Sequence, residues 1–103
     1  MNQYLCLLRA RPTFLDDRTP QEAEIVGDHF IYLSDLTRRG VVMLAGRTVD
    51  APPVGIVILR ADTDADALAL MQADPAVASG VFTLELRPFL IALADVAPQR
   101  PAP

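Results

Sequence analysis

Apolar residues occur along the chain in short runs and in helically spaced stripes, and the order of these stretches predicts the fold. Four stretches have the length and apolar content of β-strands, namely residues 3–8, 41–49, 54–60 and 81–93. The second and third are joined by a short turn containing Pro52 and Pro53, so they are expected to form an antiparallel hairpin. Pro88 interrupts the fourth stretch, which favours an edge position because proline cannot donate a ladder hydrogen bond.

Two further stretches carry the signals that open a helix. In the first, Thr19 is a favoured N-cap, Pro20 suits the first helical position, and Glu22 completes a capping box with Thr19. This helix is expected to end at Gly40, a residue suited to a helix C-cap. Its inward stripe consists of Ile25, Val26, His29, Leu33 and Leu36.

The second predicted helix opens at Thr63, which repeats the capping pattern with Asp66. It is expected to stop at Asp74, because the residue before a proline avoids the helical region. The resulting order, β-α-β-β-α-β, predicts an α+β fold of the ferredoxin-like type, with a four-stranded antiparallel sheet and two helices on one face. We expect residues 1–93 to form a single domain and residues 94–103 to form a proline-rich C-terminal tail.

Both faces of the predicted sheet are apolar. In the third strand Ile56 and Ile58 alternate with Val57 and Leu59, and the first strand has the same two-sided character. Two helices can cover only one of these faces. We therefore expect a homodimer in which a second copy packs against the open face of the sheet.

Composition and charge exclude several classes of function. The net charge of −4 at pH 7 argues against a nucleic-acid partner, which needs a basic face. All 9 basic residues are arginines, so a lysine Schiff base is excluded. One histidine and one cysteine are too few for a zinc site, and we expect neither a metal nor an organic cofactor. Apolar runs are too short for a membrane helix, which favours a cytoplasmic protein with no membrane partner.

His29 is the residue whose position calls most for an explanation. It lies on the inward stripe of the first helix, where it is either a packing residue or a catalytic or ligand-binding one. Asp74 is either ordinary turn chemistry or a carboxylate that orients His29 from the neighbouring helix end. Arg9 and Arg47 end or interrupt the predicted strands and are candidates to bind a carboxylate of a substrate, although isolated arginines are usually solvated.

Several short segments together resemble the YCII-related family. Between Tyr4 and about Ile91, in the family's order, they are residues 28–33, 40–46, 74–75, 80 and 88–89. The resemblance implies a dimeric α+β barrel whose site pairs a helix histidine, here His29, with the aspartate of an Asp-Pro motif, here Asp74. The sequence departs from the family pattern at Arg47, because in the family a proline usually follows the Ala-Gly pair.

The same resemblance implies two hypotheses about function. Relatives include a dehydrochlorinase that acts on a chlorinated hydroxyhydroquinone, and muconolactone isomerases share the general fold. The first hypothesis is a cofactor-independent lyase or isomerase that uses His29 as general acid/base and Asp74 as its orienter on a small oxygenated ring. The alternative is a non-enzymatic dimer that binds a small ligand through His29. The catalytic hypothesis requires an open cavity beside His29, whereas a histidine that serves only packing would be enclosed by the protein.

Overall fold

A four-stranded antiparallel sheet forms the base of the fold. The computed structural model describes residues 1–95, and its strands are β1 (Asn2–Arg9), β2 (Val42–Arg47), β3 (Val54–Ala61) and β4 (Thr83–Phe89). Their order across the sheet is β2-β3-β1-β4, which places the first and third strands in the centre. This is the strand order of the predicted ferredoxin-like arrangement, so the predicted α+β fold is confirmed.

Two long and two short helices connect the strands. They are α1 (Phe14–Asp17), α2 (Pro20–Arg38), α3 (Asp64–Gln72) and α4 (Pro75–Ala78). The predicted capping box opens α2: Thr19 Oγ1 accepts from the Glu22 backbone N–H at 3.1 Å, and Glu22 Oε1 accepts from the Thr19 N–H at 2.8 Å. Gly40 follows α2 with a φ of 75°, a conformation that glycine adopts without strain.

The structure differs from the sequence prediction in the length of the outer strands and in the two short helices. β4 pairs only with β1 within residues 1–95, and that pairing ends at Phe89 opposite Gln3, so residues 90–95 have no partner strand. At its other end, the Phe82 N–H bonds to the Ala76 carbonyl at 2.9 Å instead of joining the sheet. Pro88 lies on an edge strand as predicted. The boundary at Leu93 stays a prediction, since residues 96–103 lie outside the described residues.

The core lies between one face of the sheet and both long helices. It joins alternate residues of the two central strands to the inward stripes of α2 and α3. Its most buried large side chains include Tyr4, Cys6, Leu36, Val57, Leu59 and Met71. Burial raises the pKa of the Cys6 thiol to about 11, which makes it an inert core residue at neutral pH.

The opposite face of the sheet, here called the open face, is covered by no helix in residues 1–95. Its central positions are apolar and half-buried: Leu5, Leu7, Leu44, Ile56 and Ile58. Charged residues occupy its β4 edge, where Glu85 binds both Arg9 and Arg87 at 3.1 Å. None of the helices described here has the length and apolar content required to cross a membrane.

Candidate active site

Asp74 occupies the junction between α3 and α4. It is the N-cap of α4, and its Oδ1 accepts a hydrogen bond from the Ala76 N–H at 2.9 Å. Pro75 at the first helical position prevents α3 from continuing through Asp74. The helix therefore stops as predicted, but a new helical turn follows at once. This turn fixes the direction of the Asp74 carboxylate, whose side chain is fully buried.

The second oxygen of Asp74 binds His29, in the middle of α2. His29 Nδ1 lies 2.6 Å from Asp74 Oδ2, and the imidazole is 14% exposed while the carboxylate is 0% exposed. An ionised carboxylate only accepts hydrogen bonds, so it fixes the tautomer of neutral His29 with the proton on Nδ1. The structure thus brings together the two residues that the sequence analysis paired.

Nε2 is the ring nitrogen of His29 that does not contact Asp74. It has no hydrogen-bond partner in residues 1–95. Every buried side-chain nitrogen or oxygen in that part of the chain has a partner, so Nε2 is not buried. Nε2 is therefore accessible to solvent or to a ligand. With the proton held on Nδ1, the accessible nitrogen carries a free lone pair and can accept a proton.

Tyr32 ties α2 to the chain segment that carries Asp74. Its hydroxyl donates to the Leu70 carbonyl in α3 at 2.7 Å. Burial raises the pKa of Tyr32, and the negative charge of Asp74 raises it further, so the hydroxyl stays protonated as a donor. This hydrogen bond holds α3 at a fixed distance from α2, next to the His29–Asp74 pair.

A cavity of about 890 Å³ opens beside His29, between α2 and the covered face of the sheet. Two phenylalanines line this cavity: the Phe82 ring meets that of His29 edge to face at 5.2 Å, and Phe14 packs against Phe82 at 6.1 Å. On the sheet side, a Cβ added at Gly55 would lie 3.2 Å from Leu8 Cβ, so glycine permits the close packing of β1 and β3 there. The cavity is of the size and apolar character that suit a small ring compound.

The two arginines proposed from sequence lie on different sides of the sheet. Arg47, at the end of β2, lines the cavity and donates to the Thr48 carbonyl at 3.3 Å. Arg9 does not line it. Because Leu8 faces the cavity, the next residue of the strand points to the open face, where Arg9 binds Glu85. The structure therefore does not bring Arg9 together with His29, Asp74 and Arg47.

Three further residues of the site were missed by the sequence analysis. Phe14 lies in α1, within a stretch expected to be a loop, and its only signal was an apolar residue in polar surroundings. Phe82 precedes β4 and was assigned to the strand itself. Arg18 lines the cavity from the turn between α1 and α2, and no sequence pattern singles it out. No three His, Cys, Asp or Glu side chains of residues 1–95 are grouped so as to hold a metal ion.

Comparison with known families identifies the chain. A model of the YCII-related domain matches residues 2–90, which is most of the chain. The protein belongs to the YCII-related family. Among curated proteins, none matches this family member significantly.

A solved structure shares the fold of this YCII-related protein. It is 5-chloro-2-hydroxyhydroquinone dehydrochlorinase from Burkholderia phenoliruptrix AC1100, in complex with 2,5-dihydroxybenzoquinone. The TM-score is 0.68, the sequence identity is 18%, and the match covers 85% of this chain and 93% of the other. At this identity the likeness shows a common fold over nearly the whole of both chains.

Proposed function

We propose that this YCII-related protein is a cofactor-independent enzyme that catalyses proton transfer on a small oxygenated ring, with a lyase or isomerase outcome. The observation that carries the proposal is the orientation of His29, whose Nδ1 is bound to Asp74 at 2.6 Å while its Nε2 is free beside the cavity. A histidine needed only for packing would have no cavity beside it. The alternative of a non-enzymatic binding protein is an outcome of the test described below.

In this mechanism His29 Nε2 accepts a proton from a ring C–H or hydroxyl group. The imidazolium that forms is stabilised by the Asp74 carboxylate, which stays ionised. In a lyase reaction, the electron pair left on the ring expels a leaving group such as chloride. In an isomerase reaction, the same proton returns from Nε2 to a different ring atom, and the sum of atoms and charges is unchanged.

The choice of a ring substrate is supported by the walls of the cavity and by the structural neighbour. Phe82 offers an aromatic surface next to His29, and Phe14 extends it along the cavity wall. The neighbour is named for its action on 5-chloro-2-hydroxyhydroquinone and holds a dihydroxybenzoquinone. Hydroxylated and chlorinated hydroquinones are therefore the first compounds to test.

Two further properties belong to the proposal. A homodimer would cover the open face, whose half-buried residues Leu5, Leu7, Ile56 and Ile58 have no helix over them in residues 1–95. A second copy of the chain is the occupant that the apolar character of this face favours. We place the protein in the cytoplasm, where the buried thiol of Cys6 stays reduced.

The test replaces each member of the pair and measures turnover. Chloride release from 5-chloro-2-hydroxyhydroquinone and deuterium incorporation from D2O into hydroxyhydroquinone report elimination and isomerase-like proton transfer. We expect His29→Gln and Asp74→Asn each to lower kcat by roughly 10³-fold or more. Asp35→Asn is the matched control, because Asp35 lies on α2, is paired with Arg38 and Arg39, and does not line the cavity.

Asp74→Asn is informative because it keeps the helix cap and changes the tautomer. The Asn oxygen must still accept from the Ala76 N–H, so its amide N–H₂ faces His29 Nδ1. Nδ1 then accepts, and the proton moves to Nε2, which can no longer act as a base. ¹⁵N NMR of the imidazole reports this change directly. Turnover that survives both variants would reject the His29–Asp74 pair as the catalytic group, and absence of turnover in the wild type would leave a binding protein as the function.

A further inference from the structure

The charges that line the cavity are unbalanced. Its titratable side chains within residues 1–95 are Arg18, Arg47 and His29, and no aspartate or glutamate of that part of the chain lines it. Asp74 is fully buried behind the imidazole. Two permanent positive charges therefore face the cavity of a protein whose net charge is −4.

The two cavity arginines lack the carboxylate partners that most arginines of this protein have. Within residues 1–95, carboxylates pair with Arg9, Arg11, Arg38, Arg39 and Arg87. Arg18 and Arg47 form no ion pair there. Each donates only to a backbone carbonyl, of Leu15 at 3.5 Å and of Thr48 at 3.3 Å. Most of the five donors of each guanidinium stay available to a ligand.

Two acidic residues close to Arg18 in sequence are already engaged, and a third, Asp16, forms no ion pair within residues 1–95. Asp17 and Glu22 both bind Arg11, whose guanidinium bridges the two carboxylates. This contact holds the pKa of Glu22 near 2, well below its ordinary value of 4.5. The negative charges of Asp17 and Glu22 are thus neutralised by a different arginine, so these two carboxylates do not compete with an anion for Arg18.

We infer that Arg18 and Arg47 form an anion subsite where the cavity meets solvent, so that the ligand is a small ring bearing an anionic oxygen group. That group is a carboxylate or an ionised ring hydroxyl, and the ring lies in the apolar interior against Phe14 and Phe82. Charge-assisted hydrogen bonds from guanidinium groups to such oxygens are strong and directional. This inference deepens the proposed function and rests on it for the role of His29.

The subsite would also serve the chemistry. Binding one end of the ligand at the cavity mouth limits the orientations of the ring beside His29 Nε2. Removal of a proton by His29 increases the negative charge of the ring and its oxygens. Arg18 and Arg47 line the same cavity as His29, so their positive charges would stabilise that negative charge.

The test measures binding of matched probes by titration calorimetry at low salt. Benzoate and benzamide have nearly the same shape, and only benzoate is charged. 2,5-Dihydroxybenzoquinone supplies ionised ring hydroxyls without a carboxylate. We expect one or both anions to bind about 10-fold more tightly than benzamide, because exposed ion pairs make a modest contribution to affinity. Added salt should weaken only the anions.

Arginine variants test whether Arg18 and Arg47 cause the preference for anions over benzamide. Arg18→Gln/Arg47→Gln should remove the preference for the anion and leave the affinity for benzamide within about twofold, whereas Arg38→Gln should keep the preference. Arg38 is exposed at the end of α2 and does not line the cavity. Equal affinity of wild type for anions and benzamide, no anion binding, or a preference that survives the double variant would each overturn the inference.

These readings are separate from the test of the proposed function. Anion affinity does not require proton transfer, so it is measured in His29→Gln as well. A preference that depends on the arginines, in a protein without turnover or with turnover that does not depend on His29, would keep the subsite and reject the proposed role of His29. Turnover that depends on His29 without any anion preference would keep the enzyme and reject the subsite.

Discussion

The two faces of the sheet are built from alternating residues of the same strands, yet their surroundings differ completely. On the covered face, Cys6 and Leu59 are 0% exposed under α2 and α3. Their strand neighbours Leu5 and Ile58 point the other way and stay half-buried. Both pairs are apolar. The residue types of the central strands therefore do not distinguish the two faces.

What distinguishes the faces is the element packed on each. On the covered face, apolar residues of α2 such as Leu33 pack against one part of the sheet. One helical turn earlier, the same helix places His29 beside the cavity. The core and the candidate site are thus two ends of the same interface between helix and sheet. The open face has an apolar centre and an ion-paired edge on β4, as a protein–protein interface does.

The largest expected effect is a difference in the loss of stability when two adjacent residues of β3, Leu59 and Ile58, are each replaced by alanine. Leu59→Ala leaves a void in a close-packed core, so we expect the free energy of unfolding to fall by about 2–5 kcal/mol. Ile58→Ala removes a similar volume from the open face, where the side chain is only half-buried, and should cost less than half as much in dilute solution. Urea unfolding of both variants at the same low concentration makes the comparison. Equal losses would contradict the difference between the faces.

A smaller effect on stability, but a large one on assembly, is expected from a charge in the open face. Leu7 lies opposite Glu85, so Leu7→Arg gains a favourable cross-strand partner and the monomer should fold. In the proposed dimer the same arginine would be buried, so the mass measured by light scattering should fall from twice the 11.2 kDa chain to once. Ala69→Arg, on the exposed side of α3, is the control and should leave the mass unchanged. A wild-type monomer at micromolar concentration would reject the dimer.

Sequence reasoning was most successful where the determinants are local. The Thr19–Glu22 cap and the Asp-Pro break depend on residues a few positions apart, and both occur in the structure. The absence of alternation between apolar and polar residues in β1 and β3 likewise indicated two apolar faces. These patterns, together with the family resemblance, were enough to obtain the fold.

The composition of the site was harder to obtain because it depends on which face a residue takes. Arg9 and Arg47 both end strands, but strand alternation sends Arg9 to the open face and pairing with Gly55 places Arg47 on the cavity side. The predicted strand bounds did not fix that register. Arg18 reaches the cavity only because the 10–18 segment folds into α1 and returns over the sheet. This course of the chain depends on tertiary contacts, which cannot be predicted from a local sequence pattern.

The smallest effect concerns two arginine–carboxylate clusters, one on each side of the sheet. Arg11 holds the cavity-side segment through Asp17 and Glu22, and Arg9 holds the open-face edge through Glu85. Hydrogen bonds from the arginines lower the pKa of both glutamates, that of Glu22 to about 2 from its ordinary 4.5. A lowered pKa in the folded state means that the contribution to stability is complete above the ordinary value and is lost as the pH falls through the folded one.

Arg11→Gln and Arg9→Gln should therefore each lower the Tm by a few degrees at pH 6, and the difference from wild type should shrink as the pH falls from 4.5 towards 2. Ligand binding separates the two variants. Arg11→Gln frees Asp17 and Glu22 next to Arg18, so at pH 6 it should weaken benzoate binding, while Arg9→Gln should not, because Arg9 faces away from the cavity. Differential scanning fluorimetry and benzoate titration measure both quantities. If Arg9→Gln weakened benzoate binding as much as Arg11→Gln did, the two faces would be coupled, and the site could not be assigned to the covered face alone.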